Sequence, residues 1–340
     1  MGVKTLQITW FPHEGLCPMT ALYEHNLSHP HDVGGEPAGQ IDTRDQGMTH
    51  WEKHANAFRM VMTGKGLASL DEMRRAAEDL GARFYQIGYF ERQTEAAAIA
   101  LVERGVFTQS EFDAEMEAAR ARFDVPALDL PADHDHDGAP IQEDDTGGPP
   151  NDHHVMNLAM QALLVARGDL TAAEVRQMIG NFDQEYPNRG AEVVVKAWTN
   201  PDFKILLLKD AKAAIASMGI DLEFQDDIVA VENTDDVHNV VVCTLCSCYP
   251  RFLLGQPPTW YKSRAYRSRT VHEPRAVLRE FGTELPSDVR IQVHDSNADL
   301  RYLVIPKRPE GTENWTEEQL KSILTRDCFV GVAVPTAAHG

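Results

Sequence analysis

Three cysteines lie within six positions in the stretch VVVCTLCSCYP: Cys243, Cys246 and Cys248, directly behind an apolar, β-branched run. Cys243 and Cys246 have the C-x-x-C spacing of a redox dithiol, but a third thiol so close would invite scrambling. Structural zinc draws two cysteine pairs, or a pair with histidines. Here the nearest candidates are His238 and the distant Cys328, with no second C-x-x-C. Haem attachment needs a histidine where Ser247 stands. Inert buried thiols sit poorly beside the polar Thr244 and Ser247. The remaining chemistry is a metal claw. Cys246 and Cys248 flank Ser247, and the amide nitrogens of Ser247 and Cys248 lie between their sulfurs. With those amides deprotonated, two sulfurs and two nitrogens make a planar set, Cys243 adds a fifth donor, and one position stays open. Holding amide nitrogen in this way calls for a strongly Lewis-acidic trivalent ion, cobalt(III) or iron(III), rather than zinc.

The rest of the chain has the composition of a globular protein: 340 residues, 43% hydrophobic and 25% charged. Five cysteines make no disulfide framework, and their crowding into one motif suits a reducing compartment. No apolar run is long enough for a bilayer, and MGVKTLQITWFPHEG lacks a signal layout, so a cytoplasmic location without membrane contact is expected. A net charge of −20 argues against a nucleic-acid partner. The stretch from Arg251 to Arg279 is nonetheless basic, with Lys262, Arg264, Arg267, Arg269 and Arg275. It reads as a positive rim near the cysteines or a surface for an acidic partner.

Elements must carry this motif into place. Residues 1–125 read as an extended arm with a tight turn at HDVGGEP, followed by helices. The first begins near Thr49 and places Trp51, Ala55, Phe58 and Met62 at three- and four-residue steps. Ser69 and Glu72 form a capping box for the second. A third is expected from about Tyr85 to Val102 and a fourth after Thr108. Residues 126–152 form an acidic Asp/Gly/Pro/His linker with little to bury. Its His134, Asp135, His136 and Asp137 hold a metal weakly at best. Residues 153–340 begin with helices, broken at Asn200-Pro201, and change after Ile228 to strands DIVAVENT, HNVVVCTLC, DVRIQVHDS and LRYLVIPKR. Helices at PRAVLREFG and WTEEQLKSILTRD and a last strand at Cys328 to Val334 complete it. The fold class is therefore α+β, a layered α/β part preceded by an all-helical part.

CTLCSC followed by GQPPTWYKSRAYRSRTVHEPRAVLREFGTELP resembles the nitrile hydratase α subunit and, equally, the γ subunit of the related thiocyanate hydrolases. The likeness runs from about His153 to Val334, through GAEVVVKAWTNPDFK, VENTDDVHN and RPEGTENWTEEQL. The N-terminal half is similar to the helical part of the family's β subunit, through HDVGG, the Trp51 helix, LDEMRRAAEDL and YFER at Tyr89 to Arg92. The chain thus looks like a fusion of β-like and α-like pieces.

This resemblance implies a non-corrin cobalt enzyme that hydrates a carbon–nitrogen triple bond: nitrile to amide, or, alternatively, thiocyanate to carbonyl sulfide and ammonia. The implied metal ligands are Cys243, Cys246, Ser247 and Cys248, with Cys246 as sulfinic acid, Cys248 as sulfenic acid and Cys243 a plain thiolate. Thr244 goes with cobalt members, where serine goes with iron. Arg74 matches an arginine that binds the oxygens of the modified cysteines, Arg75 is a candidate to share that task, and Tyr89 lines the pocket. Cys248 itself, through its sulfenate oxygen, is a candidate to take part in catalysis. Arg251 stands where nitrile hydratases commonly have tryptophan and leans toward thiocyanate; VENTDDVHN and VVVKAWTNPDF lean toward nitriles. Gln225 is a loose candidate for a pocket glutamine. The family's C-terminal β-barrel, with its second arginine, is missing from this sequence, which implies a separate small β-barrel subunit, a hetero-oligomer, and a metallochaperone for cobalt loading. A non-catalytic, metal-carrying assembly factor is the alternative of a different class.

Overall fold

The computed structural model describes residues 32–123, 150–183, 188–220 and 227–337. His31, most of the linker with its His134–Asp137 tract, and Gln225 lie outside the described residues. Local signals set most helix ends. Helix α1 (His50–Gly64) starts at a capping box between Thr49 and Glu52, and α2 (Leu70–Glu78) at one between Ser69 and Glu72. The third helix starts later than its sequence suggests. Tyr85 belongs to a short 3-10 turn, Gly81–Tyr85, and α3 (Tyr89–Glu103) begins behind Gly88, whose amide is held by Glu91. Helix α4 (Gln109–Ala121) follows the Thr108 cap. Beyond the linker come α5 (Asp152–Arg167), α6 (Ala172–Asp183), α7 (Arg189–Thr199), α8 (Pro201–Lys209) and α9 (Ala211–Ala216). Pro201 sits in the first turn of α8, where its missing N–H costs nothing, and Asn200 caps that turn.

The strand region contains β1 (Asp227–Glu232) and β2 (Val237–Val242), then the short helices α10 (Arg251–Leu254), α11 (Thr259–Lys262), α12 (Arg264–Arg269) and α13 (Pro274–Glu280). Strands β3 (Arg290–Asp295) and β4 (Leu300–Ile305) and helices α14 (Glu317–Ser322) and α15 (Arg326–Val330) complete it. The four strands form two parallel pairs, β1 with β4 (Asp227 opposite Leu300) and β2 with β3 (Val237 opposite Arg290). The expected last strand at Cys328 is a correction: Cys328, Phe329 and Val330 are the buried turn of α15, stopped by left-handed Gly331. A short apolar run reads equally as buried strand or buried helix, and here packing decides. A side chain at Gly331 would collide with the backbone of Asn239 on β2, so the helix end and the central strand touch backbone to backbone.

Two cores result. One gathers α7, α8, α9, the strands and the cysteine loop; the other is helical. The helical core does not stop at the linker, for Val155, Met156, Met160 and Leu164 of α5 and Val175 of α6 pack with Phe58, Met62, Leu101 and Phe112 of the N-terminal helices. Among the described residues, no helix is long and apolar enough to cross a membrane.

Candidate metal centre

Strand β2 delivers the cysteines. Its Val240–Val242 are buried to the last residue, and the chain then turns out of the sheet with Cys243 fully buried. Three anchors hold the turn. Asp295, at the end of β3, accepts from the Thr244 amide at 3.0 Å and from its hydroxyl at 2.6 Å. Arg267 of α12 donates to the carbonyls of Cys243 and Thr244 at 3.1 and 2.6 Å. Tyr261 donates its hydroxyl to the Cys248 carbonyl at 2.9 Å. The arm adds a fourth support, for Gly34 lies so near the Thr244 methyl that a Cβ there would meet it at 3.1 Å.

The basic run after the motif is therefore no simple solvated face, for several of its cations have partners inside the fold. Arg267 and Arg269 are buried; Arg269 pairs with Glu273 and Glu280 and donates to the Gly39 carbonyl of the arm. Arg264 pairs with Glu36, and Arg275 caps carbonyls of Leu285, Pro286 and Val289. Arg267 thus holds the cysteine loop, and Arg264 and Arg269 hold the arm.

On this frame the three sulfurs converge. Cys243 and Cys246 Sγ are 3.5 Å apart, Cys246 and Cys248 Sγ 3.2 Å, and the Cys246 amide donates to Cys243 Sγ at 3.2 Å. All three cysteines are free, and among the described residues they are the one set of His, Cys or carboxylate ligand atoms lying within 4.8 Å of each other. Thiols this close cannot all ionise independently. Hydrogen bonds from Cys243 and then Cys248, with Arg74 alongside, hold the Cys246 thiol well below its usual range; the contact with Cys246, and burial, push Cys243 up to about 11 against the bond from Cys248, and contacts with Cys243 and Cys246 raise Cys248. Three soft donors converging in a buried corner fit a thiophilic transition ion, and the cluster is a metal-binding site consistent with cobalt.

The other expected residues divide. Arg74, from α2, donates Nη2 to Cys246 and Cys248 Sγ at 3.3 and 3.4 Å. Burial opposes its charge, but the Cys246 and Cys248 sulfurs outweigh it and raise the pKa further, so the guanidinium stays protonated. Tyr89, at the start of α3, bonds its hydroxyl to Ser247 Oγ at 2.7 Å. Arg251 opens α10 and reaches back to α1, with Nη1 3.8 Å from Met60 Sδ. Arg75 is not brought to the cluster, a correction to its expected role: it pairs with Asp79 at 3.0 Å and with Glu103. One residue further along a helix turns the side chain by about 100°, so Arg74 and Arg75 cannot both face the sulfurs.

Arg59 has no place in the sequence reading, and Lys262 enters it only as one of the basic run. Arg59 of α1 lies close enough to Cys246, Cys248, Tyr89 and Arg251 to feel their charges; desolvation, then Arg251, lowers its pKa. Its bond is to Asn56 Oδ1 at 3.1 Å, and among the described residues no carboxylate pairs with it. The signal was present: Arg59 falls on the stripe of Ala55 and Met62, where a buried helix face should be apolar. Lys262, the last residue of α11, is 9% exposed and sits 5.5 and 4.7 Å from the ring centroids of Tyr89 and Phe90. Burial, then Arg251, lowers its pKa to about 8, and it too has no carboxylate partner among the described residues.

Comparison with known proteins places both halves. The family model for the nitrile hydratase alpha chain matches residues 151–333, and that for the N-terminal part of the nitrile hydratase beta subunit matches residues 27–145. The low-molecular weight cobalt-containing nitrile hydratase subunit alpha of Rhodococcus rhodochrous is 50% identical over 179 residues, 52% of this chain and 86% of that one. The thiocyanate hydrolase subunit gamma of Thiobacillus thioparus is 42% identical over 196 residues, 54% of this chain and 81% of that one. Among solved structures, a double mutant of the Fe-type nitrile hydratase of Comamonas testosteroni Ni1 superposes with TM-score 0.51 at 41% identity, covering 53% of this chain and 88% of that one. A recombinant thiocyanate hydrolase with partially modified cobalt centres superposes with TM-score 0.53 at 42% identity, covering 56% and 92%.

Proposed function

Because the chain belongs to the nitrile hydratase family, with alpha-chain and beta-subunit N-terminal parts fused in one polypeptide, we propose that it hydrates a carbon–nitrogen triple bond at the cysteine cluster and that its substrate is the anion thiocyanate. The observation that carries the choice is the set of Arg59, Arg251 and Lys262, three cations gathered beside the cluster without an ion-paired carboxylate among the described residues. Arg74 already answers the charge of the sulfurs. The other three leave positive charge in a partly desolvated place, where it is costly unless an anion arrives. A neutral nitrile would give them no counter-charge.

In this reading Cys243, Cys246, Cys248 and the amides of Ser247 and Cys248 hold the metal, cobalt(III) by the Thr244 cue. When bound, it supplies Lewis-acid polarisation of the triple bond and of water. Arg251, Arg59 and Lys262 hold the anion, and a guanidinium beside Cys246 and Cys248 suits the added oxygens if these are the sulfinic and sulfenic acids. The sulfenate oxygen of Cys248 is then available to the reacting carbon. Tyr89, hydrogen-bonded to Ser247, keeps a hydroxyl proton at the edge of the cluster. The balance is SCN⁻ + H₂O + H⁺ giving carbonyl sulfide and ammonia, with the carbon–nitrogen bonds broken and the sulfur retained. A separate β-barrel chain completing the beta-like part, and a cobalt chaperone, belong to the same proposal, as does the division into a helical part, a linker and a catalytic part.

Nitrile hydration is the second reading, favoured by the 50% identity to a cobalt nitrile hydratase subunit. The test is turnover by the cobalt-loaded chain, alone and with a co-encoded β-barrel chain. Ammonia and carbonyl sulfide from thiocyanate, with amide formation from simple nitriles at least about tenfold slower, is the expected result; the reverse ratio establishes the nitrile reading. Cobalt without turnover of either substrate leaves an assembly factor.

A further inference from the structure

A second group of potential ligands lies away from the cysteines, where α1 meets α5. His50 and His54 stand one turn apart on α1, on the same helix face. His154 comes from the first turn of α5, its ring 6.0 Å from that of His54, centroid to centroid, at 60°. His50 is close enough that both other rings would feel its charge.

His54 gives the group direction. It is 8% exposed, and its Nε2 lies 2.7 Å from Gln161 Oε1. A carbonyl oxygen only accepts, so Nε2 carries the proton and Nδ1 is left as a bare lone pair. That Nδ1 is buried and has no hydrogen-bond partner. An orphaned acceptor in a buried corner normally has a reason, and an outer hydrogen bond that fixes the tautomer is how metal-ligating histidines are held.

We propose that His50, His54 and His154 form a second metal site, for a borderline divalent ion of the zinc type, which ties the N-terminal helices to the first helix beyond the linker. Two imidazoles on one tetrahedral ion, with metal–nitrogen bonds of about 2.0–2.1 Å, have ring centres about 5 Å apart, so the His54–His154 pair, at 6.0 Å, closes by about 1 Å when the ion binds. His50 is exposed and completes the set by turning its side chain, since its ligand atom is not yet within reach of both others. Three neutral nitrogens and a water make a tetrahedral site, unlike the sulfur-rich cluster that takes the catalytic metal.

The test is calorimetric titration of the cobalt-loaded full chain with Zn²⁺, with both metals counted after dialysis. One zinc per chain beyond the cobalt is expected, together with a higher unfolding temperature. The double variant His50→Ala/His154→Ala, at positions that are not fully buried, should weaken zinc at least about tenfold and remove the thermal shift; His134→Ala/His136→Ala should change neither. No zinc beyond the cobalt, undiminished binding in the first variant, or loss in the second variant instead would overturn the site.

Discussion

Glu95 and Arg59 are both charges pressed into the helical half, and their surroundings differ. Glu95 is 1% exposed and fully answered: Arg83 donates to both its oxygens, and His153 Nε2 lies 2.8 Å away. Thr94 and Asn157 continue the network between α3 and α5. Arg59, with Arg251 and Lys262, has neighbours of its own sign and aromatic rings and, among the described residues, no carboxylate in an ion pair, although Lys262 feels the charges of Glu52 and Asp45. A buried charge with all its partners in place is part of the framework. Buried charges of one sign without partners hold a place for something that binds, at a cost in stability.

Changes at the two regions should therefore fail in different ways. The largest effect belongs to the cysteine cluster itself: Cys248→Ala should lose cobalt to background by metal analysis, and turnover with it. Retained cobalt with normal turnover would remove the claw from the mechanism. Next, Arg59→Met should raise KM for thiocyanate by about 10- to 100-fold, the loss of a charged hydrogen bond or two, while urea midpoints stay level or rise. A drop in stability with KM unchanged would put Arg59 among the framework charges.

Glu95→Ala should do the opposite, costing about 2–3 kcal/mol of stability by stranding His153 and Arg83, with KM little altered. Its pH signature has a definite sign. Burial alone would raise the Glu95 pKa, but the His153 and Arg83 bonds outweigh it and leave it below the usual carboxylate value. The stabilisation is present above that value and is lost as pH falls through the lowered one. Urea denaturation from pH 7 to pH 3 should show this acid loss in the parent and less of it in the variant.

The smallest effect is Lys262. With a pKa of about 8 it loses its charge as pH rises through 8, so KM for thiocyanate should climb there and KM for a neutral nitrile should not. The folded state binds fewer protons than the unfolded chain from pH 8 to the usual lysine value, so stability rises with pH across that window. A thiocyanate KM flat to pH 9.5 would take Lys262 out of anion binding.

Much of the fold was legible because its signals are local. Capping boxes at Ser69, Thr108 and Thr171 and the proline-led first turns of α8 and α13 fix helix starts within four residues. What was misread lacked such a signal. The Tyr85 boundary depends on a 3-10 turn with no side-chain cap, and Cys328–Val330 became helix through Gly331 and its close approach to β2. The basic run was visible, but its inward use was not, since Arg267 and Arg269 find their partners on the cysteine loop, the arm and α13.

By itself the sequence determined the metal cluster, because all its sulfurs come from six consecutive positions and need only a strand end to present them. The resemblance of the N-terminal half to the family's beta subunit brought Arg74 and Tyr89 with it. Tertiary structure alone added Arg59 to the cations near the cluster and decided which of the basic run turn inward. Arg59, Lys262 and Arg251 meet only when α1 and α3 close over α10 and α11, and Arg75 is turned away by its position on α2. The reason is physical: ligand spacing is written in covalent distance along the chain, whereas an electrostatic environment is a sum over groups that only packing brings together.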